Sequence, residues 1–146
     1  MERILVVLQT AEGNIWSAIH ALNLARRIKA KVSFLFVIDS DVDKGEQASQ
    51  EQWKADMMKS LEALIEQGRS EGISVNYFAM YGNIDIELVK FIKENRITIL
   101  VLGLPGDQKG SFGNFTELLE KVRHKVDCRI EVVQEKNLQP ALERRG

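Results

Sequence analysis

Thr98–Glu117, TILVLGLPGDQKGSFGNFTE, changes local pattern in a way that decides the fold. Thr98 to Leu102 is a run of β-formers, Gly103 breaks it, and a loop holding Gly106, Gly110 and Gly113 leads into a helical pattern at Asn114. A strand, a glycine loop and a helix in this order can aim several backbone N–H groups together at the positive end of a helix dipole, where an anion such as phosphate binds. The same residues also fit a simpler role, in which the glycines turn the chain and Asn114 and Glu117 form a capping box.

The flanking sequence alternates between strand and helix. Arg3–Leu8 (RILVVL) is a near-continuous β-branched and leucine run, as expected of a strand covered on both faces. After residues 9–13, a helix carries Ile15, Ala18, Ile19, Leu22 and Ala25 on one face and Arg26, Arg27 and Lys29 near its end. Lys31–Ile38 is the second strand. Asp39–Gln52 is polar and reads as a loop running into a helix that bears Trp53, Met57, Leu61, Leu64 and Ile65 and ends at Gly68 and Gly72.

Ile73–Met80 reads as a third strand, with Ile73, Val75 and Tyr77 alternating against Ser74 and Asn76. A helix marked by Ile84, Leu88, Phe91 and Ile92 follows, finishing near Asn95. Beyond the glycine loop come a helix with Phe115, Leu118, Leu119, Val122 and Val126 and a last short strand, Cys128–Val133. Residues 1–136 are expected to form one domain, and 137–146, with Pro140 and Arg144-Arg145, a loosely held tail.

Parallel strands need helical crossovers, and right-handed crossovers place helices on both faces of the sheet. The expected fold is therefore α/β, a single-domain doubly wound sheet of five parallel strands. In the order 3-2-1-4-5 the winding reverses between the first and fourth strands, and ligands bind beyond their carboxyl ends. The order 2-1-3-4-5 would put the crevice between strands one and three. Receiver-like phosphoacceptor chemistry there needs an aspartate, and this chain offers Gln9 and Tyr81-Gly82-Asn83.

Composition narrows the function classes. With 20 basic and 21 acidic residues and a net charge of -1, bulk charge does not drive nucleic-acid binding. No apolar run approaches a membrane span and no signal peptide is evident, so a cytoplasmic protein without membrane or nucleic-acid partners is expected. The single Cys128 forms no internal disulfide and reads as a packed thiol. His20 and His124 lack acidic or thiol partners at ligand spacing, and no metal site is assigned. Lys109-Gly110-Ser111 is not a Walker motif, because the lysine precedes the glycine; Lys109 and Ser111 can still lean over a bound phosphate.

From Arg3 to about Glu135 the chain resembles the universal stress protein family in element order, length and placement of the glycine loop. Gly103-Leu104-Pro105-Gly106 matches the G-x2-G part of the family motif G-x2-G-x9-G-[ST], and Gly113-Asn114 stands where the family has Gly-Ser or Gly-Thr. The resemblance implies an adenine nucleotide alpha hydrolase-like fold in the 3-2-1-4-5 order and a crevice for ATP, with Mg, or AMP. Carried onto this chain, the nucleotide-binding residues are Gln9, Thr10, Val37, Asp39, Gly103, Gly106, Lys109, Ser111, Gly113, Asn114, Phe115 and Thr116.

The chain departs from the motif in three places. Residues 107–112 make a shorter loop than the family spacing, Gln9 replaces an acidic residue, and Asn114 replaces the hydroxyl residue. No general base or strong Mg carboxylate stands beside the loop unless Asp107 turns inward, so at most slow ATP hydrolysis is expected. A second reading is a nucleotide-independent dimeric interaction module with a degenerate phosphate loop and no cofactor. Under both readings a homodimer is expected through the apolar edge strand Cys128–Val133, a pairing the family commonly uses.

Overall fold

Arg3–Leu8 (β1) runs through the middle of the molecule, and Ile4 through Leu8 are almost without solvent contact. Side chains alternate across a strand, so Ile4, Val6 and Leu8 enter one apolar cluster and Leu5 and Val7 the other. That double burial is why the strand lacks any polar alternation. The computed structural model describes residues 1–8, 14–38, 44–81, 84–103 and 111–133. The expected C-terminal tail lies outside them.

The elements follow in strict alternation: α1 (Asn14–Ile28), β2 (Lys31–Ile38), α2 (Lys44–Ser70), β3 (Val75–Tyr81), α3 (Ile84–Glu94), β4 (Ile99–Gly103), α4 (Ser111–Arg123) and β5 (Arg129–Val133). All strands are parallel, in the order β3-β2-β1-β4-β5. The first cluster takes its helical side chains from α1 and α2, among them Ala18, Leu22, Ala25, Leu61 and Ile65. The second takes Leu88 and Ile92 from α3 and Leu118 and Val122 from α4.

Thr98 sits just before β4 rather than inside it and acts as a pin. The Arg3 amide donates to Thr98 Oγ1 at 2.8 Å, and the Thr98 amide and hydroxyl both donate to the Arg3 carbonyl, at 2.9 and 3.2 Å. This sets the β1–β4 register, in which Ile4 faces Ile99 and Val7 faces Leu102.

Three local expectations change. The helix expected from about Trp53 begins at Lys44, because residues 44–52 (KGEQASQEQ) are rich in helix formers that need no apolar stripe. Gly68 lies inside α2, where an added Cβ would stand 3.2 Å from Leu22 Cδ2 and 3.3 Å from Val75 Cγ2; its role is close approach of α2 to α1 and β3. The turn belongs to Gly72 alone, at φ +88°. Tyr77 leaves the core pattern and is half exposed on β3, an edge strand of the sheet. Phe78, on the other face, meets Phe91 edge to face at a centroid separation of 5.4 Å.

Candidate functional site at the strand crossover

The carboxyl ends of the strands form one rim of the sheet. Val7 pairs with Leu102, Leu8 with Phe36, and Gly103 with Val133, so Leu8, Val37, Gly103 and Val133 end side by side. From β1 the chain winds toward β2 and β3, and the other half of the sheet holds β4 and β5. The reversal falls between β1 and β4, where no crossover helix bridges the rim and α/β sheets open a crevice.

Gly103 closes β4 half-buried, and Val37 lies in β2 one residue past the Leu8–Phe36 pair. Thr116 is exposed on α4. Ser111, Gly113, Asn114 and Phe115 all lie in the opening turns of α4, whose backbone alone is described there. Gln9, Thr10, Asp39, Gly106 and Lys109 lie outside the described residues, so of the expected site residues the structure brings together Val37 and Gly103 on the rim.

The start of α4 corrects the capping assignment. The helix opens at Ser111 and not at Asn114, which places Asn114 a turn inside and removes it from the N-cap position. Main-chain amides without intrahelical acceptors belong to the first residues of a helix, here around Ser111, Phe112 and Gly113. Gly113, with no side chain, then leaves that turn open to close approach. Among the described residues no group of three His, Cys, Asp or Glu side chains gathers as a metal site. Nor is any helix among the described residues long and apolar enough to cross a membrane.

A polar cluster that sequence reading missed lies at the β5 edge. Glu131 accepts from Arg129 within the strand and stands 2.6 Å, Oε1 to Nε2, from His20 on α1. Burial pushes the Glu131 carboxyl up, but hydrogen bonds from Arg129 and His20 outweigh it and hold the group below the usual carboxylate range. No signal in the sequence couples positions 20 and 131. Cys128, just before β5, is half-buried, and burial pushes its thiol up, away from the thiolate form.

Residues 1–134 match the model of the universal stress protein family. No curated protein sequence matches the chain. Among solved structures, the universal stress protein UspA from Lactobacillus plantarum superposes with a TM-score of 0.65 at 18% identity, covering 90% of this chain and 97% of that one. A universal stress protein in complex with cAMP gives 0.64 at 15% identity, over 90% of this chain and 96% of that one. One from Archaeoglobus fulgidus in complex with dAMP gives 0.58 at 16%, over 90% and 97%. These likenesses establish the same five-stranded parallel architecture, and the match over nearly the whole chain shows that the protein belongs to the universal stress protein family.

Proposed function

We propose that the chain is a small cytoplasmic regulatory protein that binds an adenine nucleotide, AMP or ATP with Mg, in the crevice between β1 and β4, with at most slow hydrolysis. The observation that carries this reading is the reversal of winding at β1 and β4, with α4 opening shortly after Gly103. Amides at the start of α4 supply donors for phosphate, and the missing side chain of Gly113 lets an anion approach them. Structures of this architecture with cAMP and dAMP bound support the choice of an adenine nucleotide. Gln9, Thr10, Val37 and Asp39 are assigned to the adenine and ribose side. Gly103, Gly106, Lys109, Ser111, Gly113, Asn114, Phe115 and Thr116 are assigned to the phosphate side.

The test is mass spectrometry of ligand released from denatured protein, paired with calorimetric titration by ATP and AMP. An adenine nucleotide that is lost in Gly113→Val supports the reading. A clean apo protein that ignores millimolar nucleotide overturns it.

In that outcome the second reading stands, a nucleotide-independent dimer acting through its surfaces. The shorter loop 107–112 and the uncharged Gln9 favour it. Dimerisation through β5 is proposed under both readings. The Arg129 amide donates to the Thr98 carbonyl, so by strand alternation the Ile130 amide points away from β4, toward the outer edge of the sheet.

A further inference from the structure

Every helix described here ends at the same end of the molecule, because parallel strands with helical crossovers run all helices the opposite way to the strands. Cations are favoured at helix C-termini, and this chain places Arg26 and Arg27 in the last turn of α1, Lys93 in that of α3, and Lys29, Arg96 and Lys125 just beyond helix ends. Lys31 starts β2 at the same level. A local preference, repeated helix by helix, sums to a basic face on a protein of net charge -1.

Arg26 is taken by Glu71 in a two-point ion pair. Arg27, Lys29, Lys31, Lys93, Arg96 and Lys125 are all exposed, and none has a carboxylate partner among the described residues. Among the described residues at this end, Glu120 is paired with Arg123, and Glu2, Glu94 and Asp127 are too few to neutralise the six cations.

Two cavities open onto this face. One, of about 560 Å³, lies between α1 and the turn into β3; its floor is Ala25, Ala30 and Ile73 and its rim carries Lys29 and Lys31. The other, of about 330 Å³, lies between the ends of α3 and α4, over Ile92, Ile97 and Val126, rimmed by Lys93, Arg96 and Lys125. They lie under opposite halves of the sheet, one on the α1/α2 side and the other on the α3/α4 side.

We infer that this face is a docking surface for an acidic protein segment that seats an aliphatic side chain in each cavity while its carboxylates meet the lysine and arginine rims. Charge complementarity selects an anionic partner. The apolar floors select one with hydrocarbon anchors. A nucleic acid fits less well, since neither cavity offers an aromatic side chain for base stacking. The face lies at the opposite end of the strands from the β1–β4 crevice, so the inference does not depend on nucleotide binding.

The test is fluorescence anisotropy of the full chain with a fluorescein-labelled peptide of about twelve residues, Glu with Leu at every third position. Saturable binding is expected, weakened about tenfold between 50 and 300 mM NaCl as screening shortens the reach of the field. The paired reversals K29E/K31E and K93E/R96E should each weaken binding by about tenfold, and replacing Leu by Gly in the peptide by about fivefold, on the scale of lost charge and apolar contacts. K29Q/K31Q and K93Q/R96Q give the same contrast in smaller steps, should a reversal fail to keep the wild-type melting curve. Binding that ignores these substitutions, no binding of the peptide, or tighter binding of an oligothymidine of equal charge would each overturn the inference.

Discussion

His20 Nε2 on α1 lies 2.6 Å from Glu131 Oε1 on β5, closing a contact between positions 111 residues apart. The contact ties the helix that follows β1 to the outermost strand. Glu131 is held below the usual carboxylate range, so the folded state binds fewer protons there than the unfolded chain. Its contribution is therefore present above the unfolded carboxylate pKa, about 4.3, and is lost as pH falls through the lower folded value. Glu131→Gln should lower the melting temperature at pH 7 and narrow the gap to wild type as pH drops below about 4. Thermal melts at both pH values check this, and an unchanged gap would contradict it.

Thr98 carries a second prediction. Its hydroxyl accepts from the Arg3 amide and donates to the Arg3 carbonyl, at the point where β1 and β4 come into register. Thr98→Val keeps the β-branched shape but leaves the part-buried Arg3 amide without this acceptor. The expected cost is about 1–3 kcal/mol, read from urea unfolding with an unchanged m value.

At Gly68 the distances to Leu22 and Val75 leave little room for a side chain. Gly68→Val should destabilise by about 1–3 kcal/mol through overpacking. Gly72→Val should also destabilise, for a different reason: space is open there, but the φ of +88° is unsuited to a β-branched residue. A denaturant series on Gly68→Val, Gly68→Val/Leu22→Ala and Gly72→Val separates the two, since relieving Leu22 should rescue part of the Gly68 defect only.

Ile130 tests the proposed dimer. Its amide points away from β4, so proline there removes an outward-facing donor and spares the β4–β5 ladder. Ile130→Pro is expected to sediment as a folded monomer while the wild type sediments as a dimer. Proline at Glu131, whose amide faces β4, should unfold the edge instead. A wild-type monomer at micromolar concentration would sink the β5 proposal.

The fold was legible because burial on both faces leaves a plain mark. RILVVL and ILVLG lack polar alternation, and the intervening helices repeat apolar residues at helical spacing. Legibility fell where no apolar pattern was needed. Residues 44–52 form helix without an apolar stripe in their sequence, and Tyr77 followed the alternation of β3 yet lies half exposed on an edge strand. Within the candidate site, Gly103 and Val37 fall on the rim of the sheet, whereas α4 begins before Asn114, because cap and first-turn glycine exchange places with only a small shift of boundary.

By itself the sequence determined the alternation of strands and helices, the buried central strand and the family, because each of these depends on short-range periodicity or on motif spacing. Tertiary structure alone decided which distant charges meet. His20 reaches Glu131, and cations scattered from Arg27 to Lys125 share one face, because parallel strands force every helix to end on the same side. Linear charge counting averages that segregation away; three-dimensional packing restores it.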